Sequence, residues 1–323
     1  MLQARDPSSM PPAITILIVN WNSQEELLQC LSTVVAQTGD QDQVVVVDNG
    51  SHDESCAAVR RRFPGVELVE AGENLGFAEG CNRGIEQASG AWIFTLNNDA
   101  ELMEGCLERL RDTASRAGQR VGMLQPKMLF RDAPEQLNST GVLLFREGKA
   151  SDRDFGTPLA EHRPSPDVFC VTAGAALYRK SMLDAVGLST GVFDRTFFMY
   201  FEDVDLGWRC RLAGWSARYV DDAAVLHGFQ SSSRRRGERW VERHCKLNRL
   251  RMLLKNASYG MLLRSVPVSL SDLGWLALRE GSAGVRDAAI AVRDGLATRR
   301  EVGSRQQRSR RAVEERWVRH YKP

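Results

Sequence analysis

WIFTLNNDAE, residues 92–101, is the stretch from which the fold can be read. Residues 92–96 are bulky, β-branched or apolar, as in a buried strand. The chain then turns polar at Asn97, Asn98 and Asp99. A strand that stops in such a cluster sets side-chain oxygens at the C-terminal edge of a sheet, where open α/β sheets hold ligands. Asp99 is placed to hold a divalent metal on a diphosphate; the plainer alternative is an ordinary Asn/Asp turn.

Upstream, the pattern of that stretch repeats. Residues 13–19, AITILIV, and 44–47, VVVV, are apolar runs with the look of strands buried on both faces. The first ends in Asn20-Trp21-Asn22 and the second in Asp48-Asn49-Gly50-Ser51. Ser23 with Glu26, and Ser51 with Glu54, have capping-box spacing. That spacing predicts helices over 24–36 and from about 51 to 63. A short strand over 66–70, a glycine-bearing helix over 77–88 and the strand over 92–96 come next. Strands alternating with helices across short turns predict a parallel sheet covered on both faces. Parallel strands present their C-terminal ends on one edge, so the clusters at 20–22, 48–51 and 97–99 should converge on one cleft. The expected ligand is a nucleotide. Asp48 either accepts a hydrogen bond from a base N–H or makes an Asx turn before the next helix.

The turn after the first strand excludes other nucleotide folds. NWNS replaces the GxGxxG of dinucleotide-binding dehydrogenases, and no GxxxxGK[ST] loop or GxSxG elbow occurs. GENLGFAEGCNRG, residues 72–84, has four glycines that let backbone approach a ligand or a sheet closely. Asn74, Asn82 and Arg83 within it could reach a base, ribose or phosphate.

FFMYFEDVDLGW, residues 197–208, sets Glu202, Asp203 and Asp205 against an aromatic run able to shield a site from water. A helix over 204–212 would put Asp203 at its N-terminus, where the dipole favours the charged carboxylate. That suits a general base; the alternative is a simple N-cap. His227 ends another apolar run, AAVLH. Residues 121–130 read as a strand, 141–149 as a hairpin arm, 153–166 as a surface loop near an acceptor entrance. Residues 168–178 read as a strand with a small-residue turn at 172–176.

Four motifs in order, ITILIVNWNSQEELLQCLSTV, VVVVDNGSHDES, ENLGFAEGCNRGIEQASGAWIFTLNNDAEL and FFMYFEDVDLGWRCRLAGW, resemble family 2 of the inverting glycosyltransferases, nearest its rhamnosyltransferase-like branch. The resemblance covers about residues 13–230. It implies the α/β GT-A fold: a Rossmann-like, mostly parallel central sheet with flanking helices, divided into a nucleotide-binding half to about residue 100 and an acceptor half to about 230. It implies a divalent metal, manganese or magnesium, and a nucleoside diphosphate sugar donor. The branch points to dTDP-rhamnose, with UDP-sugars open. A glycan or polyprenyl-linked saccharide in cell-envelope synthesis would be the acceptor. The family's DxD metal motif falls on Asn97-Asn98-Asp99, so Asp99 alone keeps a charge. The resemblance makes Asp203, beside Glu202, the base. His227, 24 residues past Asp203, falls where relatives complete the metal site. Asn20, Asn22, Asp48, Asn49, Asn74, Asn82, Arg83, Asn97 and Asn98 form the expected nucleotide-sugar contacts.

The net charge of +2 hides an asymmetry: residues 1–230 carry 21 Lys/Arg against 32 Asp/Glu, and 231–323 carry 22 against 9. A basic, mainly helical extension over 231–323 is expected, with helices over 238–255 and 285–296 and an apolar segment over 261–278 lying in a membrane plane. Anionic lipid is favoured over nucleic acid as its partner, and a homodimer stays open. Residues 231–236, SSSRRR, would close over the diphosphate. Residues 1–12 read as a loose leader. The seven cysteines are scattered without a CxxC pair. With no signal-like or spanning run, this suggests a cytoplasmic protein peripheral on the inner membrane face. A nucleotidyltransferase is disfavoured because the first strand lacks a basic, glycine-rich triphosphate loop. A processive synthase is disfavoured by the absence of QxxRW. A non-catalytic polyanion-binding module would be free to lose Asp99, Glu202 and Asp203, and all three are present.

Overall fold

The computed structural model describes residues 12–228 and 237–319. Most of the leader, the 231–236 segment expected to close over a diphosphate, and the last four residues lie outside the described residues.

The valine- and isoleucine-rich runs form the centre of a ten-stranded sheet. Strands β1 (Ile14–Asn20), β2 (Gln43–Asp48), β3 (Glu67–Glu70) and β4 (Trp92–Asn97) are parallel and ordered β3-β2-β1-β4. Helices α1 (Gln24–Val35), α2 (Ser55–Arg62) and α3 (Gly76–Gln87) connect them. Alternate residues of β1 face opposite layers. Ile14, Ile16 and Ile18 share a core with Leu27, Leu31 and Val34 of α1. Leu17 shares one with Ala78 and Cys81 of α3. Helix α3 lies close because its inner positions are glycines: a Cβ at Gly84 would fall 1.9 Å from Leu17 Cδ1.

Beyond β4 the sheet becomes mixed. β5 (Ala100–Leu102), helix α4 (Cys106–Ser115) and β6 (Val121–Phe130) come next in sequence. β7 (Ala133–Ser139) pairs with β6. The hairpin expected over 141–149 is β8 (Val142–Phe145) with β9 (Ala150–Asp152). The expected strand over 168–178 is divided: β10 is only Asp167–Val168, and β11 (Ala175–Arg179) runs antiparallel between β4 and β6. The small residues 172–174 are the loop before β11. Helix α5 (Lys180–Val186), helix α6 (Glu202–Leu212) and strand β12 (Ser216–His227) complete this part.

Helices α7 (Glu238–Asn256), α8 (Tyr259–Ser304) and α9 (Arg310–Trp317) form the basic extension, and β13 (Val318–Arg319) pairs with β8. The two helical segments expected within 261–296 are one element, broken at Gly281, whose φ of 61° is non-helical. By length and composition α8 contains one stretch apolar enough to cross a bilayer, where no such run was expected. Met252, Leu253, Met261, Val302 and Val313 share a core with Phe197 and Trp208. Behind α6, buried Lys255 bonds Asp194 and lies 3.2 Å from Asp205, which also accepts from Arg209 (2.9 Å) and Asn256 (2.7 Å). Removing one partner of such a buried charge pair costs about 3–5 kcal/mol, so the extension braces α6.

A candidate active site at the strand ends

The three polar strand ends do converge. Asn98 Nδ2 donates to Asn20 Oδ1 (2.9 Å), and Asn20 Nδ2 donates to Asp48 Oδ1 (3.1 Å). Ser51 then turns back on Asp48, through its N–H to Oδ2 (2.8 Å) and its hydroxyl to Oδ1 (2.6 Å). The Asx-turn alternative for Asp48 is therefore the geometry that forms. The Ser51 oxygen accepts from the Asn22 N–H (2.9 Å) and does not cap α2, which starts three residues later than a Ser51 cap would set it. Ser23 precedes α1 but makes no side-chain cap bond; its hydroxyl donates to the Trp21 carbonyl.

In front of this network lies a cavity of about 1060 Å³. Of the residues singled out in the sequence, Asn20, Asn49, Asn74, Asn97, Asn98, Asp99, Glu202, Asp203 and His227 line it. Four do not. Asp48 stands behind Asn20. Asn22 turns its Oδ1 to the His52 N–H (2.7 Å). Asn82 is a tie between elements: its Nδ2 donates to the Phe193 carbonyl (2.8 Å) and its Oδ1 accepts from the Phe193 N–H (2.9 Å). Arg83 points to the surface, 3.4 Å from Glu79. Only the first turn of the glycine-rich segment, Asn74, Gly76 and Phe77, reaches the cavity. The rest of it packs the helix on the sheet. None of residues 153–166 lines the cavity, whereas Val142, Ala150, Ser151 and Asp152 of the β8–β9 hairpin do.

On one wall, His227 at the end of β12 meets the turn after β4. Its Nε2 is 3.4 Å from Asp99 Oδ1 and 3.0 Å from Asn97 Nδ2. Its Nδ1 is 3.0 Å from Asn138 Oδ1. A carbonyl oxygen on Nδ1 fixes the tautomer with the proton there and leaves Nε2 as the acceptor. This is the arrangement of a metal-binding histidine with its supporting carbonyl. Among the described residues no third His, Cys, Asp or Glu joins a cluster able to hold a metal. The pair, a carboxylate and an imidazole, fits two coordination positions of a divalent ion.

The facing wall is the start of α6. Asp203 accepts from the Ala173 N–H (3.1 Å) and the Val204 N–H (2.7 Å). Burial pushes its carboxyl above the ordinary 3.8, although those bonds and one to Thr172 pull the other way. Burial, then the Asp203 charge, pushes Glu202 well above its usual range, and its Oε2 is buried with no hydrogen-bond partner. The dipole argument alone, which favours a plainly ionised carboxylate, is thus overridden by desolvation. Burial raises both carboxyls, and of the two it is Asp203 that the N–H groups of Ala173 and Val204 hold. Asp152, which sequence reasoning passed over, is pushed to about 6, first by burial and then by Asp203, against a Ser139 bond and His227.

The aromatic run is delivered by strained backbone. Phe198, Tyr200 and Phe201 have φ of 62°, 70° and 68°, each costing roughly 1–3 kcal/mol unless neighbours impose it. Asn248 of α7 imposes it. Its Nδ2 donates to the carbonyls of Phe197 (2.9 Å), Met199 (2.8 Å) and Tyr200 (2.9 Å). From the opposite side Gly76 admits Phe198: a Cβ at Gly76 would fall 2.5 Å from that ring, and its φ of 82° also favours glycine. Asn138, Asp152 and Asn248 gave no periodic or motif signal, because each acts through a partner distant in sequence.

A mixed sheet with paired polar strand ends, a metal-compatible pair and a raised carboxylate pair defines a GT-A glycosyltransferase. The chain belongs to this enzyme class through glycosyl transferase family 2, whose model matches residues 15–187. It is 31% identical over 242 residues to N-acetylglucosaminyl-diphospho-decaprenol L-rhamnosyltransferase of Mycobacterium tuberculosis, covering 68% of this chain and 76% of that one. Among solved structures, GalNAc-T7 with UDP, GalNAc and Mn2+ aligns with a TM-score of 0.66 at 14% identity, over 95% of this chain and 57% of that one. The mannosyltransferase PcManGT of Pyrobaculum calidifontis, in complex with GDP-Man and Mn2+, aligns at 0.55 and 17% identity, over 96% and 88%.

Proposed function

We propose that the protein is a metal-dependent inverting transferase that moves a sugar, rhamnose from dTDP-rhamnose, to a hydroxyl of a lipid-linked saccharide in cell-envelope polysaccharide synthesis. The observation that carries this is the spacing of two walls by one strand pair. The Asn97 N–H donates to the Gly174 carbonyl (2.8 Å), and next to it the Ala173 N–H holds Asp203. The donor turn and the carboxylate pair therefore face each other across the cavity at a separation set by backbone.

In this reading Asn20, Asn49, Asn74 and Asn98 receive the nucleotide, with Asp48 fixing Asn20 from behind. Asp99 and His227 hold the ion, and Asn97 and Asn138 orient His227. A bound manganese or magnesium ion would offset the charge that gathers on the leaving diphosphate. Asp203 takes the proton from the acceptor hydroxyl as that oxygen attacks the anomeric carbon from the side opposite the diphosphate. Two backbone N–H groups aim its carboxylate, and its raised proton affinity makes it the better base once ionised. Tyr200 and Phe201 exclude water from the reacting oxygen. The Asp152 hairpin forms the acceptor wall. The nucleotide half ends near residue 100 and the acceptor half near 230.

The basic extension, in the same reading, rests on the inner face of the membrane. Asp272 of α8 is paired with Lys246 (3.0 Å) and Arg249 (2.8 Å) of α7, and Leu276 is buried with Leu247. One side of this helix is thus committed to protein, which favours lying in the interface over spanning. A panel of dTDP-, UDP- and GDP-sugars with and without manganese, scored by donor hydrolysis and thermal shift, tests the catalytic reading. The expected result is a metal-dependent response to dTDP-rhamnose. Response to a UDP-sugar alone would replace the donor, and no response to any donor would overturn the reading.

A further inference from the structure

A second cavity, of about 520 Å³, is lined by Ser258, Tyr259, Leu296, Arg299, Arg300 and Arg310, among others. It lies at the C-terminal end of α7. Cys245 lines the large cavity, and Leu254 is nine residues further along the helix, ~14 Å at the rise of an α-helix. The two cavities are therefore distinct.

Two of its guanidiniums are held in place by main chain. Arg299 donates to the carbonyls of Leu254 (2.6 Å) and Ala257 (2.9 Å), and Arg310 donates to that of Lys255 (2.6 Å). These bonds satisfy carbonyls that the end of α7 leaves open. A guanidinium has five N–H donors, so each keeps donors for something else. Among the described residues none of Arg299, Arg300 and Arg310 has a carboxylate at ion-pair distance. The neighbouring Glu314 turns both oxygens to Ser258, at 2.6 Å each. Burial and the Arg299 charge push Arg310 down to about 10. A bound anion would relieve that crowding.

The rim of the cavity continues into apolar surface. Tyr259, Leu263, Leu270 and Leu278 are 80%, 75%, 62% and 88% exposed. With Val266 they succeed one another at steps of three, four or eight, along one face of α8. Leu296, half exposed, faces the same cavity as Tyr259. An apolar stripe that ends in a cluster of arginines, none with a carboxylate at ion-pair distance among the described residues, has the chemistry of a bilayer interface: acyl chains for the stripe, a phosphate for the cluster. A symmetric contact of this face with its own copy would bring the same positive charge to the cluster and is disfavoured on that ground.

We propose that the Arg299–Arg300–Arg310 cavity binds the phosphate of an anionic phospholipid and forms the charged end of a docking face whose apolar part is the Tyr259–Leu278 stripe. This rests on the peripheral-membrane reading above and adds a defined lipid-phosphate site to it. The site supplies positional specificity that diffuse charge does not.

The test is co-sedimentation of the full chain with vesicles of phosphatidylcholine alone and of phosphatidylcholine with an equal part of phosphatidylglycerol. The wild type should bind the mixed vesicles and not the neutral ones. Each basic residue near a surface contributes about five-fold in partitioning. Arg300→Gln and Arg310→Gln should exceed that, lowering binding by ~10-fold or more. Arg286→Gln, exposed elsewhere on α8, should lower it by ~5-fold or less. Arg300 makes no bond to the α7 carbonyls, so its replacement reports on the site even if Arg310→Gln unfolds. Leu263→Ser with Leu270→Ser should also weaken binding. Equal losses for Arg300→Gln and Arg286→Gln would overturn the cavity while leaving membrane docking intact. No association of the wild type at low salt would overturn both. Thermal stabilisation by inorganic phosphate without vesicle binding would assign the cavity to a soluble anion instead. Monomerisation by the double serine variant, read by light scattering, would assign the stripe to a second copy. Donor hydrolysis in solution should be unchanged in Arg300→Gln, Arg286→Gln and the double serine variant, which separates failure here from failure of the catalytic reading.

Discussion

The turn after β4 and the start of α6 both present acids to one cavity, and they are built in opposite ways. At Asn97–Asp99 the single carboxylate sits among amides. Asn98 is tied to Asn20, and Asn97 and Asn138 flank His227. At Glu202–Asp203 two carboxylates adjoin at a buried helix start, and burial raises both. The first acid stands in an amide-lined turn; at the second, burial outweighs the backbone hydrogen bonds that Asp203 accepts. The same residue type thus meets two different surroundings on one cavity.

The strongest way to break this contrast is Asp203→Asn, which keeps the shape and removes the base. Its kcat should fall by roughly 10²–10⁴ with the donor's Kd little changed; a loss confined to donor binding would move Asp203 to the other wall. In the wild type the sign of the pH effect comes from the raised carboxyl. The base is fully ionised only above its raised pKa, and activity is lost as pH falls through it. The acid limb of kcat/KM should therefore lie above the ~4 of a free carboxylic acid. A limb at or below that value would contradict the desolvation argument.

Next comes the amide-lined wall. Asn138→Ala leaves His227 in place but frees its ring. The metal concentration needed for half-maximal activity should rise by ~10–100-fold, with kcat restored at saturating metal. His227→Ala should raise the requirement at least as far. Unchanged metal dependence in both would remove His227 from the ion.

A smaller effect is expected from Asn248→Ala, which withdraws the donor shared by three carbonyls behind the aromatic run. It should cost about 1–3 kcal/mol of stability, measured by urea unfolding. It should also lower kcat while leaving metal affinity alone, since Tyr200, Phe201 and Glu202 lose their brace and Asp99 does not. The smallest effect sharpens the contrast. Burial favours the uncharged form of Glu202, so Glu202→Gln should stay within ~10-fold of wild-type kcat. A loss as large as that of Asp203→Asn would mean that Glu202 works in its charged form.

What the sequence made legible was what repeats or alternates. Three apolar runs, each ending in a polar cluster, with a short strand over 66–70 between them, sufficed for the parallel half of the sheet and the convergence of Asn20, Asp48 and Asn98. The FFMYFED run placed α6 to within two residues. What stayed illegible depends on contacts between distant segments. Asn82 is the tie to Phe193 because a loop more than a hundred residues later happens to meet it. Ser51 looks like a cap, yet its oxygen accepts from the Asn22 N–H (2.9 Å) and Asn20 Nδ2 (3.3 Å) instead of from a helix N–H, while its hydroxyl donates to Asp48. The 168–178 run reads as one strand because loop and strand there are equally apolar; only its pairing with β4 divides it. Asp152 carried no signal at all, lying in a charged segment where any acid would pass as solvated.

The antiparallel seam between β4 and β11 pairs Ala175 through Arg179 with Leu96 through Trp92. Its first turn outward carries Asn97 on one strand and the Ala173–Gly174 loop on the other. It acts as a ruler. The β8–β9 hairpin closes the cavity but is not part of this ladder. A lineage could therefore lengthen, shorten or exchange the hairpin without altering the distance between the Asn97–Asp99 turn and Asp203. A change at the seam would move both at once. Diversification within this architecture should accordingly be written in the hairpin, and arrest of function in the loop of three small residues at 172–174.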